Sequence, residues 1–213
     1  SLAIGYSAWA DEVSCSSDST AINCGLTIDG DDTATIDADV TVSSGDAALY
    51  LTTDNNTINM TGDVLTSGTS VEGIQFSGAA DSNTITLNGD ITTTCASGTG
   101  SNCFGINLAG SSNTLTMTGN LSTAGSTARG LWINGDSHTV SLTGNITSSN
   151  DSGLLFYGDN NTVTTVGNIT AGAKAIDHHG ATGNTIKHTG NITTTLVNGC
   201  LLYTSDAADD VNG

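Results

Sequence analysis

A short motif recurs through most of the chain and constrains its fold more than any other feature. It reads Asn-Thr, then alternating apolar and polar residues, then Gly-Asp or Gly-Asn and an aliphatic residue, as in NTITLNGDI. The copies are spaced 27, 30, 25, 23 and 23 residues apart and begin at Asn56, Asn83, Asn113, His138, Asn161 and Asn184. A weaker copy, DTATIDADV, begins at Asp32. A repeat of this length is typical of proteins whose units pack only on their neighbours.

Each repeat predicts three short strands. In the first, apolar and polar residues alternate, as Ile85 and Leu87 do between threonines, which is typical of a half-buried strand. Gly-Asp or Gly-Asn then marks a corner, because these residues tolerate left-handed backbone torsions. The second strand centres on an aliphatic residue such as Ile91, and a loop of variable length follows. The third strand begins at Gly or Ala, as in residues 105–108 (GINL).

Strands this short, with no room for crossover helices between them, predict a stack of coils. We therefore expect an all-β protein, a parallel β-helix (β-solenoid) of about seven three-strand coils over residues 11–199, with a rise of about 4.8 Å per coil. The chain has no Pro, which agrees with strands that all donate hydrogen bonds to a neighbour. Stacking also brings the first motif residues into one column, with His138 as a substitute. The predicted corner ladder comprises Asn56, Asn83, Asn113, Asn161 and Asn184.

The recurring NTIT and GNIT sequence motifs over residues 24–199 resemble those in the passenger region of bacterial autotransporters and related right-handed parallel β-helix surface proteins. The resemblance implies right-handed winding and a bacterial protein exported through the periplasm. It further implies that the protein is secreted or displayed at the cell surface, where it serves as a stalk or adhesin. It implies no particular activity, because unrelated passengers share the same rod.

Both ends of the chain depart from the repeat. Residues 1–10 read SLAIGYSAWA and end in the A-x-A pattern of a signal-peptidase site, so we expect them to be the tail of a secretory signal peptide. Residues 200–210 read CLLYTSDAADD, which resembles the translation, in one reading frame, of a transposon adapter used in sequencing libraries. We therefore expect residues 200–213 to be non-native and the natural chain to continue beyond Gly199.

The cysteines fall into two local pairs once Cys200 is set aside. Cys15 lies close in sequence to Cys24, and Cys95 lies close to Cys103. Both pairs fall in the variable loop that precedes a third strand. This arrangement predicts two small disulfide-closed loops and an oxidising compartment. Metal binding is the competing interpretation, but these spacings without a nearby His do not resemble a zinc site.

The charge balance excludes several classes of partner. The chain has 21 acidic and 3 basic residues, for a net charge of −18. Nucleic acid and anionic membrane surfaces are poor partners, because their phosphates require many cations. The sequence also has no apolar run long enough to span a membrane as a helix. High negative charge keeps such a rod soluble, and the sequence leaves its oligomeric state open.

The outward positions predict no catalytic site. A polysaccharide-cleaving β-helix enzyme, the least favoured alternative, needs two neighbouring carboxylates. The predicted third-strand column contains a single carboxylate and reads Tyr50, Gln75, Asn107, Trp132, Leu155 and Asp177. We therefore expect no catalytic residue, cofactor or metal. The acidic turn at residues 29–32 is favoured as a solvated corner over a calcium site, and residues 177–179 with Lys174 as altered packing over a metal site.

Two outward surfaces are candidates for binding. Tyr50, Trp132 and Leu155 predict a small apolar or sugar-stacking patch, suited to a host surface or an extracellular glycan or protein. The alternative is an ice-binding face made by threonine rows on the first strand, although threonine is also common on any exposed sheet. The predicted ice-binding residues are Thr57, Thr84, Thr86, Thr114, Thr116, Thr139, Thr162 and Thr164.

Overall fold

The computed structural model describes the backbone of most of the repeat region, together with a few short terminal segments. The described residues are 5–6, 21–22, 26–28, 33–43, 47–96, 102–196 and 200–204, with side chains described at 26–28, 33–43, 47–96 and 103–196. Within them the chain forms strands and no helix. No segment of the described chain is therefore a helix long and apolar enough to cross a membrane.

The strands are short and follow one another at the spacing of the repeat. In chain order they are β1 (Gly5–Tyr6), β2 (Ala21–Ile22), β3 (Leu26–Ile28), β4 (Thr33–Ile36), β5 (Asp39–Val42), β6 (Leu49–Leu51), β7 (Thr57–Thr61), β8 (Val64–Gly68), β9 (Glu72–Phe76), β10 (Thr84–Asn88), β11 (Ile91–Cys95), β12 (Asn102–Leu108), β13 (Thr114–Thr118), β14 (Leu121–Ala124), β15 (Thr127–Ile133), β16 (Thr139–Thr143), β17 (Ile146–Ser148), β18 (Leu154–Phe156), β19 (Thr162–Val166), β20 (Ile169–Ala171), β21 (Lys174–His178), β22 (Thr185–Thr189), β23 (Ile192–Thr194) and β24 (Cys200–Thr204).

Every third strand joins the same sheet, which is the topology of a β-solenoid. Sheet A runs β1-β4-β7-β10-β13-β16-β19-β22, sheet B runs β2-β5-β8-β11-β14-β17-β20-β23, and sheet C runs β3-β6-β9-β12-β15-β18-β21-β24. Neighbouring strands are parallel, apart from β1, which pairs antiparallel with β4. The predicted parallel β-solenoid is thus confirmed, with about six turns where about seven coils were expected.

Sheet C extends beyond residue 199, where the solenoid was expected to end. Its last strand, β24, pairs in parallel with β21 inside the segment that we interpret as adapter-derived. The adapter origin of that segment and the signal-peptide origin of residues 1–10 stay predictions.

The core is a stack of aliphatic side chains that point inward from all three sheets. In sheet A, Ile85 lies between Ile58 and Leu115, and all three are fully buried. Sheets B and C contribute equivalent columns through residues such as Ile91 and Ile106. Burial of each such side chain contributes about 1.5–3 kcal/mol. Because each coil covers only its neighbours, this stabilisation depends on the whole stack.

A ladder of buried side chains joins the corners that lead into sheet A. Each side-chain acceptor receives a hydrogen bond from the backbone N–H of the equivalent residue one coil earlier. The Asn56 N–H donates to Asn83 Oδ1 at 2.8 Å, and the Asn113 N–H donates to His138 Nδ1 at 3.1 Å. The His138 N–H in turn donates to Asn161 Oδ1 at 2.7 Å. The imidazole thus takes the place of an asparagine amide in the predicted column.

The exposed corners between sheets A and B form a second ladder, in which the hydrogen bonds run the opposite way. Here the backbone N–H of each residue donates to the side chain one coil earlier, as from Asp63 to Asp39 and from Asn145 to Asn120, at 2.8 and 3.0 Å. Gly119 and Gly144 stack at the same corners with φ near 147° and 148°. A Cβ at Gly144 would overlap the carbonyl oxygen of Gly119, so this corner requires glycine.

Candidate functional site

Among the described residues, the outer face of sheet C differs from the other two outer faces because it carries aromatic side chains, with several charged groups beside them. The register places Tyr50, Gln75, Asn107, Trp132, Leu155 and Asp177 in one outward column. A second outward column lies beside it, in which Phe104 pairs with Glu72 on one side and Arg129 on the other. The two columns together form the candidate binding face.

Four aromatic rings cross this face diagonally, one from each of four successive coils. We call Phe104, Trp132, Tyr157 and His179 the aromatic strip. Successive ring centroids lie 4.6, 6.0 and 4.6 Å apart, and successive rings are tilted by 52°, 73° and 37°. Phe104 is buried, Trp132 is half-buried, and Tyr157 and His179 are exposed. The strip therefore begins under other side chains and opens toward solvent.

Arg129 fixes the buried end of the strip. Its guanidinium carbon lies 5.4 Å from the centre of the Phe104 ring and 5.8 Å from that of Trp132, within the range of a cation–π contact. Its Nε donates to Asp151 Oδ2 at 2.9 Å, and both side chains are partly exposed. Such a pair contributes little to stability, but it holds the guanidinium over the rings.

The prediction of an exposed patch at Tyr50, Trp132 and Leu155 is wrong for Leu155. Leu155 does point outward, next to Trp132 in the column, yet it is only 2% exposed. Tyr50 is half-buried and is separated from Trp132 by Gln75 and Asn107. The exposed hydrophobic residue of this face is instead Tyr157, at 44%. The exposed fraction of an outward side chain depends on the residues of neighbouring coils and loops that pack over it. The order of residues within one outward column does not specify these residues.

Three polar atoms in the outward column are buried and have no hydrogen-bond partner among the described residues. They are Asn107 Oδ1, the Trp132 indole Nε1 and Asp177 Oδ1. Asn107 and Asp177 are 8% and 5% exposed. A buried polar group without a partner costs on the order of 1–3 kcal/mol. Such groups in a well-packed protein point to a missing partner.

Glu72 and Asp177 are acidic residues of the candidate binding face, and each has a hydrogen-bond partner of its own. Asn107 Nδ2 donates to the Glu72 carboxyl oxygens at 3.3 and 3.4 Å, and burial raises the pKa of Glu72 to about 7 against the effect of this hydrogen bond. Lys174 Nζ lies 2.9 Å from Asp177 Oδ2. Several coils separate Glu72 from Asp177, so they do not form the carboxylate pair of a glycosidase.

One predicted disulfide flanks the candidate binding face. Cys95 and Cys103 are bonded, and both are buried in a small cluster with Val71 and Ala128, outside the main core. Cys103 directly precedes Phe104, so the disulfide anchors the strand that carries the first ring of the strip. The predicted partners Cys15 and Cys24, like the acidic turn at residues 29–32, lie outside the described residues.

The histidines near the end of sheet C point in different directions. His178 lies in the inward phase, next to Phe156, and its Nε2 is 3.0 Å from Asn184 Nδ2. His179 lies on the outer face beside Tyr157. Over the described ranges, no three His, Cys, Asp or Glu side chains lie close enough together to hold a metal ion.

Sheet A presents an outer face rich in threonine, which we call the threonine face. Its first column, in register through β4 to β22, is threonine at every strand: Thr33, Thr57, Thr84, Thr114, Thr139, Thr162 and Thr185. Its second column contains Thr35, Asn59, Thr86, Thr116, Ser141, Thr164 and Lys187. A third column, absent from our prediction, contains Thr61, Asn88, Thr118, Thr143, Val166 and Thr189. None of these positions is acidic, in a chain of net charge −18.

The sequence prediction missed most of the aromatic strip and the charged groups around it. Phe104 and Arg129 each directly precede the glycine that opens a third strand, as Glu72 does. Listing the residue before that glycine in every repeat would have identified this column. Tyr157 and His179 occupy equivalent positions just after the third strand, so the same comparison would have placed them together.

Comparison with known proteins identified no similar protein. No protein-family model, curated protein or solved structure matches the chain.

Proposed function

We propose that this protein is a secreted or surface-displayed β-solenoid that acts as a stalk and adhesin-like module, without catalytic activity. One observation carries the proposal: the aromatic strip lies on the outer face of sheet C, whereas the described outer columns of sheet A carry mostly threonine and no aromatic residue. Tyr, Trp and Arg are the residue types that most often dominate binding energy at contact surfaces.

The rod itself supports a role in spacing and display. A continuous aliphatic core and two hydrogen-bonded corner ladders run through successive coils, so each coil is held in a fixed register with the next. The loops before the third strands vary in length and offer additional contact surface. A negatively charged rod of this kind resists lateral association with its copies.

A binding screen against host-surface proteins and extracellular glycans tests the proposal, with the purified chain immobilised on beads. We expect at least one partner whose binding falls when Trp132 is changed to Ala. Leu65→Ala is the matched control, because Leu65 is an exposed hydrophobic residue, 48% exposed, on sheet B. The proposal fails if no partner binds, if Trp132→Ala binds as the wild type does, or if the chain cleaves an offered polysaccharide.

Ice binding is a second candidate, favoured by the register of the threonine face. Threonines in adjacent coils are about 4.8 Å apart, and outward neighbours on one strand about 7 Å apart, so hydroxyl and methyl groups repeat regularly over the face. Asn59, Ser141 and Lys187 interrupt the second column. A thermal hysteresis assay tests it. Activity that Thr116→Lys removes and Thr147→Lys, on sheet B, leaves intact would support ice binding. Absence of thermal hysteresis in the wild type excludes it.

A further inference from the structure

The aromatic strip and the unpartnered atoms beside it together identify a class of ligand. Asn107 Oδ1 and Asp177 Oδ1 are acceptors, and Trp132 Nε1 is a donor. All three lie in the column that the strip crosses. Hydroxyl groups both donate and accept, so a ligand rich in hydroxyls supplies partners of either kind. Aromatic rings bordered by a few oriented polar groups are the usual composition of a small-ligand site.

The charges around the strip favour a neutral ligand. Arg129 and Lys174 are two of the three cations in the chain, and each lies 2.9 Å from an aspartate, Asp151 or Asp177. The chain as a whole carries a net charge of −18, which repels polyanions at a distance. Arg129 uses Nε for Asp151, and its Nη groups have no other hydrogen-bond partner within the described part of the chain. They are therefore available to neutral oxygens.

The dimensions of the strip favour a single chain over a protein or a crystalline surface. It is one ring wide and crosses four coils, whereas a standard protein interface is a broad patch that buries roughly 800 Å² on each partner. Its rings are tilted against one another and so do not form the flat platform that a crystalline surface would need. A narrow row with one ring per coil fits a linear polymer with a short repeat.

We propose that the aromatic strip, with Arg129 and the unpartnered atoms of Asn107, Trp132 and Asp177, binds a single chain of neutral polysaccharide. Sugar rings stack on Tyr157 and the exposed side of Trp132. Ligand hydroxyls accept from the Arg129 Nη groups and donate to the unpartnered oxygens of Asn107 and Asp177. This inference rests on the proposed adhesin-like function and specifies its ligand.

Fluorescence of Trp132 tests the proposal directly. The chain has two tryptophans, so a Trp9→Phe background leaves Trp132 as the reporter. The probes are neutral hexasaccharides of glucose, mannose and N-acetylglucosamine, with a galacturonic acid hexamer as the anionic comparison. We expect a saturable change in emission with at least one neutral probe and none with the anionic one. In the same assay Tyr157→Ala weakens binding about tenfold, since one aromatic contact contributes about that much.

Two further variants locate the site and separate this inference from the proposed function. Asn107→Leu, which removes a buried acceptor, weakens binding severalfold, while Leu65→Ala on sheet B leaves it unchanged. Tyr157 is exposed, so its variant remains folded even if changes at buried positions do not. Tighter binding of the anionic hexamer, equal loss from Leu65→Ala and Tyr157→Ala, or no response to any neutral probe overturns the proposal. If the wider screen still finds a protein partner dependent on Trp132, the adhesin-like function stands and only the ligand class is wrong.

Discussion

Acidification tests the position of His138 within the buried corner ladder. Its Nδ1 accepts the Asn113 N–H, so the folded protein holds a neutral imidazole. Burial lowers the pKa of His138 from 6.5 to about 4, against the opposing effect of the Asp136 and Asp81 carboxylates. Below pH 6.5 the unfolded chain binds a proton that the folded chain does not. The contribution of His138 to the free energy of unfolding therefore falls as the pH falls toward 4.

The size of the loss follows from the shift in pKa. One pKa unit corresponds to about 1.4 kcal/mol, so the loss reaches about 2 kcal/mol at pH 5 and about 3 kcal/mol at pH 4. His138→Asn is the matched variant, because it restores the residue found elsewhere in the ladder. Asn161 Nδ2 donates to the Gly135 carbonyl, and by the same geometry the substituted amide would donate to the Gly110 carbonyl. This variant has no imidazole to protonate and lacks the unpartnered Nε2 of His138.

Urea unfolding of the wild type and of His138→Asn, followed by circular dichroism between pH 4 and 8, measures the effect. The difference between the two proteins isolates His138, because they share all other titrating groups. Solenoids can unfold coil by coil, so hydrogen exchange at the Asn113 amide supplies a local measurement. Its protection, corrected for intrinsic exchange, should fall with acidification in the wild type alone. A stability difference that stays constant from pH 7.5 to pH 4 would refute the reasoning.

Three other changes test separate features of the rod. Glu72→Gln leaves the free energy of unfolding nearly unchanged below pH 4.5 and raises it by on the order of 2–3 kcal/mol above pH 7. The reason is that the buried Glu72 carboxyl keeps its proton up to about pH 7 in the folded protein, and urea titrations at pH 4 and 8 measure the difference. Gly144→Ala lowers the free energy of unfolding by about 3 kcal/mol through its corner clash, whereas Gly78→Ala, with open space around it, has no such effect in thermal melts. Replacing Cys95 and Cys103 by Ser costs about 2–3 kcal/mol in urea unfolding, and an unchanged midpoint would contradict that value.

The repeat was sufficient to predict the fold, because the alternation of residues within each strand and the spacing between motifs point to the same structure. Alternating residues such as Ile85 and Thr86 identify the inward and outward faces, and the constant spacing of the motif allows one register of stacking. A slip of one residue would expose every inward side chain of a strand. The first two outward columns of sheet A and the column of sheet C from Tyr50 to Asp177 followed from this register alone.

Burial on the outer face could not be predicted in the same way. Leu155 is covered and Tyr157 is exposed, although the sequence places both just outside the core. The inward hydroxyl of Thr93 is a further case, because the Ile-Thr-Thr pattern does not show that it faces Gly73 and accepts from the Thr66 hydroxyl at 3.0 Å. These outcomes depend on the volume of side chains in adjacent coils, which a single repeat does not specify.

The opposed directions of the two corner ladders make the rod extendable in whole units. On the side that faces the preceding coil, each described coil offers side-chain acceptors at one corner and backbone N–H donors at the other, and a segment with the same corners satisfies both. Duplication of one 23-residue unit, such as the step from Asn161 to Asn184, would therefore lengthen the rod without any new contact type. Growth or loss of units by recombination gives an evolving lineage a direct way to adjust how far the rod reaches.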